Sequence, residues 1–288
     1  MMKKVRKAVI PAAGFGTRFL PVTKAVPKEL LPIIDKPVIH YVVEEAINSG
    51  IRDIIFITGR GKGAIENYFD HSYELEDQLR KTGKDELLKE MEKISNLANI
   101  IYIRQKEPLG LGHAVLRAKD VVGDEPFALL LPDVLGDEKV LYTKKIIEAY
   151  QEKGKSIIGT KETTRENISK YGALSYEGSG DIFKLNNVIE KPAPDEAPSN
   201  RYIFGRYIFT PAIFACLEKT KPAENGEIML TDAILDLNKS EGVYGKMLKG
   251  TDFDTGDKLG YLQAMAWYGL RHNDLGEEFS KYLREINK

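Results

Sequence analysis

Apolar residues in the first half of the chain fall in short runs separated by stretches of helical period. Residues 7–10, 53–58, 99–104 and 126–131 read as buried strands. Residues 37–49 read as a helix, with Pro37 in its first turn and Gly50 just past its end, and residues 72–93 read as helical with a break at Gly83. Such alternation predicts an α/β fold with a Rossmann-like, mostly parallel sheet flanked by helices. After about residue 160 the texture changes to turn-rich strands at 171–176, 181–190 and 202–209, with a proline-rich loop at 191–198. This second pattern predicts a smaller β-rich lobe. Residues 256–287 are helical in pattern, and Leu259, Leu262, Met265, Ala266 and Leu270 share one face that either covers the core or meets another subunit.

Charge removes several classes of partner. The 42 basic and 43 acidic residues leave a formal net charge of −1, so no global field draws the chain to nucleic acid or to an anionic membrane. The start, residues 1–7, is basic like the head of a signal peptide, but the apolar stretch from Ala8 to Ala13 is broken at Gly14. No segment approaches the roughly 20 apolar residues of a membrane span. A lone Cys216 and four scattered histidines share no metal-ligand spacing, which points to a reduced, cytoplasmic chain. Any phosphate chemistry must therefore come from locally placed cations.

The segment from Pro11 to Pro21 directly follows the first strand and carries Gly14 and Gly16, where small residues let backbone N–H groups approach a phosphate. A dinucleotide fingerprint fails because Phe19 stands where its third glycine belongs, and a P-loop fails for want of its Gly-Lys-Ser/Thr ending. What remains is a glycine nest with three cations nearby, Arg18, Lys24 and Lys28, the last bracketed by Pro27 and Pro32. A tight turn with solvated cations is the plainer reading of the same residues. Asp133 ends the apolar run 127–132, which puts it at the carboxyl edge of a central strand, where open α/β sheets bind ligands. A helix cap or turn is its alternative.

These motifs resemble those of the sugar-phosphate nucleotidyltransferases, in particular their bacterial branch that joins UTP to glucose 1-phosphate. The likeness runs through Gly14-Phe-Gly-Thr-Arg18, Pro27-Lys-Glu29, Arg104-Gln105, Gly110-Leu-Gly-His-Ala114, Leu131-Pro-Asp133, Tyr171-Gly172, Glu190-Lys-Pro192, Gly205-Arg-Tyr207, Gly226-Glu227, Leu230-Thr-Asp-Ala233 and Asp254-Thr-Gly256. It implies one nucleotidyltransferase domain over residues 1–288. Within it, residues 1–160 would mainly seat the nucleotide, 161–255 the sugar, and 256–288 form C-terminal helices.

The resemblance also implies a division of labour. Arg18, Lys28, Asp133 and Lys191 would be catalytic, and Ala12, Ala13, Gly14, Gly16, Thr17, Glu29, Gln105 and Gly110 would seat the nucleotide. Gln105 offers both a donor and an acceptor to the uracil edge. Gly172, Glu190, Lys191, Gly205 and Tyr207 would form the sugar pocket, with Lys191 on the sugar phosphate. Asp133 and Asp254 would hold Mg2+, a cation that takes a few carboxylates together with phosphate oxygens and water. Many relatives carry a second acidic residue after the first, whereas here Val134 follows. His113, at the start of its helix, is expected to be structural. The expected substrates are UTP and glucose 1-phosphate, with neither nucleic acid nor membrane as partner and a homodimer or homotetramer as the assembly. The rivals are a thymidylyltransferase or another hexose-phosphate enzyme, a non-catalytic regulatory paralogue, and a nicotinamide-dependent dehydrogenase.

Overall fold

A computed structural model describes residues 3–286; Met1, Met2, Asn287 and Lys288, at the ends of the basic start and the helical tail, lie outside the described residues. The chain begins with β1 (Lys7–Ala12), a small ribbon of β2 (Pro32–Ile33) and β3 (Lys36–Pro37), α1 (Val38–Asn48) and β4 (Asp53–Thr58). Next come α2 (Gly63–Phe69), α3 (Tyr73–Lys81), α4 (Asp85–Ser95), β5 (Asn99–Arg104), α5 (Gly110–Leu116), α6 (Lys119–Val122) and β6 (Phe127–Leu130). The middle holds β7 (Val134–Gly136), α7 (Tyr142–Lys153), β8 (Ser156–Glu162), β9 (Gly172–Glu177), β10 (Ile182–Glu190) and β11 (Arg201–Phe209). The last part contains α8 (Ala212–Lys219), α9 (Leu230–Glu241), β12 (Val243–Met247), β13 (Asp252–Asp254), α10 (Lys258–Gly269) and α11 (Gly276–Ile286).

Nine strands form one sheet in the order β5-β4-β1-β6-β11-β8-β12-β10-β9. The first four run parallel, as the alternating pattern predicts. Beyond them the expectation of a mostly parallel sheet fails. β11 lies antiparallel between β6 and β8, β12 returns parallel to β8, and β10 is antiparallel to both β12 and β9. β9 also meets β11 at Ala173 and Tyr202, so this end of the sheet curls back on itself. The fold is a mixed α/β sheet rather than a Rossmann-type one, and the β-rich part is its continuation.

Alternation along the central strands explains the helical cover. Ala8 and Ile10 of β1 face a core cluster with Val38, Ile39 and Val42 of α1, while Val9 faces a second cluster with Val115 of α5 and Phe214 and Leu217 of α8. Both sheet faces are therefore buried, which a strand such as β4, apolar on successive residues, requires. Gly83, at φ +68°, separates α3 from α4 at the expected break. In α10 it is Gly260, Ala264 and Tyr268 that pack inward, whereas Leu259, Leu262 and Leu270 are exposed and Met265 and Ala266 half-buried. Leu259, Leu262 and Leu270 thus look away from the core, while Met265 packs against it beside Tyr261 and Trp267. No helix among the described residues is long and apolar enough to cross a membrane.

Candidate active site

β1 and β6 are parallel neighbours, with Lys7, Ala8 and Val9 opposite Phe127, Ala128 and Leu129. Their carboxyl ends consequently release two loops at one edge: the glycine loop after β1 and the Pro132-Asp133 turn after β6. Gly16 adopts φ +67°, and a Cβ there would stand 3.1 Å from Lys28 Cβ and 3.2 Å from Thr23 Cγ2. Only glycine combines that left-handed backbone with so close an approach. Thr23 Oγ1 donates to Gly16 O at 2.8 Å, fixing the loop over the segment that carries Lys28.

Lys28 Nζ donates to Asp133 Oδ2 at 2.6 Å. Burial works against the charge on both groups, yet their mutual attraction wins, raising the Lys28 pKa and lowering that of Asp133. Asp254 reaches the same place by another route. β13 pairs with β7, setting Asp254 opposite Val134, and Thr255 donates both its N–H and its hydroxyl to Asp133 O at 2.7 and 2.8 Å. Burial and the neighbouring Asp133 charge push the Asp254 carboxyl up. Arg18 Nη1 donates to Gly256 O at 3.3 Å, so Arg18, Lys28, Asp133 and Asp254 converge.

The donor set suits a hard divalent cation. A Cβ on Gly256 would lie 2.8 Å from Asp133 Oδ2 and 3.0 Å from Asp254 Oδ1, so the two carboxylates aim at one small space that a glycine leaves open. Among the described residues no three His, Cys, Asp or Glu side chains gather around a metal position. A cation here would therefore complete its shell with substrate oxygens and water.

Two clefts meet at this centre. One, of about 490 Å³, is lined by Ala13, Gly14, Gly16, Thr17, Lys28, Glu29, Gln105, Gly110 and Asp133 among others. Ala12 lines neither cleft, because its side chain is buried in the core. Glu29 is buried against Lys62, whose Nζ donates to Glu29 Oε2 at 2.7 Å, while Glu29 Oε1 has no protein partner. Burial raises the Glu29 pKa. Gly110, at φ +88°, would drive a Cβ to within 2.7 Å of Glu227 Cβ, and Gly112 N donates to Ile228 O at 2.9 Å. Lys24 is exposed and lines neither cleft.

The other cleft, of about 320 Å³, contains Arg18, Asp133, Gly172, Glu190, Lys191, Gly205, Tyr207 and Asp254. Gly172 and Glu190 are register partners on β9 and β10, and a Cβ on Gly172 would sit 3.3 Å from Glu190 Oε2. Burial raises the Glu190 pKa. Gly205, at φ +80°, lies where the register of β11 on β8 shifts, and it lets the strand pass Leu131 and Val134. Lys191 has φ +44°, a strained value for a residue with a side chain, immediately before Pro192.

The chain matches the nucleotidyl transferase family model over residues 7–269. It belongs to the nucleotidyl transferase family. This nucleotidyl transferase is 49% identical to a UTP–glucose-1-phosphate uridylyltransferase of Bacillus subtilis, across 100% of this chain and 97% of that protein. Its fold superposes on a UTP-bound UGPase from Acinetobacter baumannii with a TM-score of 0.92 and 41% identity, covering 98% of this chain and 99% of that one. A UDP-glucose pyrophosphorylase complexed with UDP-glucose gives a TM-score of 0.83 at 41% identity, over 92% of this chain and 98% of that one.

Two further members of the site were not assigned a role from sequence. Lys62 follows β4 in a glycine-rich loop and is only 6% exposed. Arg206 lies inside the Gly205-Arg-Tyr207 motif with no measure of its burial. Its guanidinium donates to Leu131 O at 3.1 Å and to Val134 O at 2.8 Å, the carbonyls on either side of Pro132-Asp133.

Proposed function

We propose that this nucleotidyl transferase moves the uridylyl group of UTP onto α-D-glucose 1-phosphate, forming UDP-glucose and releasing pyrophosphate. The observation that carries this reading is the meeting of two clefts at one charged centre, Arg18, Lys28, Asp133 and Asp254. The nucleotide occupies the cleft built mainly by residues 1–160, with Gly14, Gly16 and Thr17 along its phosphates and Gln105 and Gly110 at the base. The sugar occupies the cleft built mainly by residues 161–255. There Glu190 accepts from sugar hydroxyls, Gly172, Gly205 and Tyr207 shape the wall, and Lys191 holds the phosphate.

The main obstacle to this reaction is repulsion between two anions, and cations remove it. Lys28 and Arg18 offset charge on the triphosphate, while Lys191 draws the sugar phosphate towards it. A phosphate oxygen of the sugar attacks the α-phosphorus in line; the new P–O bond forms as the bond to the bridging oxygen breaks, and pyrophosphate leaves with that electron pair. The attacking oxygen is already anionic at neutral pH, so no side chain need remove a proton. Asp133 and Asp254 would hold Mg2+, which would supply charge neutralisation to the phosphates. The lone Cys216 fits a reducing, cytoplasmic setting. Leu259 and Leu262, 62% and 64% exposed on α10, support a homodimer or homotetramer.

Pyrophosphate release tests the reading directly. UTP and thymidine triphosphate are crossed with glucose 1-phosphate and N-acetylglucosamine 1-phosphate in the presence of Mg2+, with Asp133→Ala as the control. Turnover is expected with UTP and glucose 1-phosphate and is lost in the control. Equal turnover with thymidine triphosphate would move the assignment to a thymidylyltransferase, and silence with every pair would leave a regulatory paralogue.

A further inference from the structure

At the base end of the nucleotide cleft, Gln105 is 7% exposed and both of its amide N–H bonds are spent inside the protein. Nε2 stands 3.1 Å from Gly110 O and 3.0 Å from His113 Nδ1. A carbonyl oxygen accepts only, so the group facing Gly110 O must be the amide nitrogen. That nitrogen has no lone pair to offer, so His113 Nδ1 must be the acceptor of its second N–H. His113 is thus the neutral tautomer with its proton on Nε2. Burial, with the nearby Arg117 charge, favours that neutral form over the opposing pull of Glu107.

The consequence falls on the other end of the amide. With both N–H bonds committed, Gln105 turns its Oε1 away from them and offers the cleft an acceptor only. Uracil carries a donor at N3, whereas cytosine carries an acceptor there, so the orientation of one amide separates the two bases. Gly110 O sets the orientation and His113 Nδ1 reinforces it by taking the second N–H, so that the pair of acceptors leaves no flipped alternative with equal bonding.

We infer that His113 is a positioning residue for base selection: by accepting from Gln105 Nε2 it locks the amide with its oxygen towards the nucleotide and so favours a uracil-type imide over cytosine. Its role rests on the nucleotide seat proposed above. Sequence expectation gave His113 a structural part alone. The geometry gives it one that a fold measurement does not register.

The test compares UTP and CTP as substrates with glucose 1-phosphate in the wild type, His113→Leu and His113→Asn, with circular dichroism and thermal melts confirming that each is folded. Leucine cannot accept; asparagine offers an Oδ1 that can replace Nδ1. For His113→Leu the KM for UTP is expected to rise about tenfold, the value of one misplaced hydrogen bond, and the kcat/KM preference for UTP over CTP to fall about tenfold. In His113→Asn most of the preference is expected to return. A folded His113→Leu variant with the wild-type UTP-to-CTP ratio overturns the positioning role alone. If the leucine variant does not fold, His113→Ala replaces it, and an unchanged UTP-to-CTP ratio in that variant overturns the role. A wild type that shows no preference for UTP over CTP overturns the nucleotide seat as well.

Discussion

The Arg206 guanidinium and the Glu45 carboxylate form a bidentate pair, Nη2 to Oε2 at 2.8 Å and Nε to the two carboxylate oxygens at 3.3 and 3.2 Å, across 161 positions of sequence. Arg206 is fully buried on β11, and Glu45 projects from α1. Glu45 Oε1 also accepts from Thr143 N and Oγ1 at 2.9 and 2.6 Å, at the start of α7. One carboxylate therefore ties α1, α7 and β11 together, and the arginine it holds grips the carbonyls flanking Asp133. The clasp thus fixes the backbone on both sides of the Asp133 that Lys28 pairs with.

Breaking the pair strands a buried charge. Replacing Glu45 by leucine is expected to cost about 3–5 kcal/mol, because Arg206 keeps its cation without a counter-ion. Urea unfolding should show a lower midpoint with little change in slope. Arg206→Lys is expected to fold but to lose activity, since an ammonium cannot reproduce the planar fork that spans Glu45 and two carbonyls.

Much of the fold was legible because buried parallel strands are written as unbroken apolar runs. β4 and β5 have the bounds that their runs predict, and α1 ends within a residue or so of its predicted limits. Strand direction was not legible. The Tyr207–Phe209 end of β11 is as buried as β6 beside it, and hydrophobic period does not record whether a strand enters a sheet up or down, so the antiparallel insertion that makes the sheet mixed left no local mark. The candidate site was readable where chemistry forces a residue type at one place, as at Gly16, Lys28 and Asp133. Arg206 and Lys62 were not readable in role, because their partners Glu45 and Glu29 come from other elements and burial of a charge depends on that meeting. Val134, where many relatives carry a second acid, was readable as a departure, and β13 sets Asp254 opposite it.

Lys191 separates charge from backbone strain. At φ +44° any side chain costs about 1 kcal/mol or more, so Lys191→Gly should be more stable than Lys191→Ala by roughly that amount. Both variants lose the ammonium, and both are expected to raise the KM for glucose 1-phosphate at least about tenfold. Thermal melts alongside sugar-phosphate titrations decide the case. A normal KM in either variant would remove Lys191 from the phosphate.

Acid stability should respond to Glu44. Burial alone would raise its pKa, but hydrogen bonds from His40 Nε2 at 3.1 Å and Lys36 Nζ at 2.8 Å prevail and hold it at about 2, below the ordinary 4.5. The unfolded chain therefore binds more protons than the folded one between those values. Stability from Glu44 is full above about pH 4.5 and is lost as pH falls towards 2, by at most about 3 kcal/mol. Urea midpoints for wild type and Glu44→Gln should accordingly differ most at neutral pH and converge across that window. A constant difference down to pH 2 would contradict the assignment.

The proposed metal position can be probed without touching a charge. Gly256 is not in a left-handed conformation, so alanine is permitted by its backbone, but the added methyl would stand 2.8 Å from Asp133 Oδ2 and 3.0 Å from Asp254 Oδ1. Both carboxylates must then give way, and with them the 2.6 Å contact of Asp133 with Lys28. Gly256→Ala is expected to raise the Mg2+ concentration needed for half-maximal rate about tenfold or more and to lower kcat by about a hundredfold, as for loss of a preorganised electrostatic contact. Excess Mg2+ should recover part of the rate, which it would not do if the methyl had merely unfolded the site. An unchanged Mg2+ dependence with a normal rate would mean that the cation binds away from the space shared by Asp133 and Asp254, and that the closeness of these two carboxylates serves the ribbon of β7 and β13 instead.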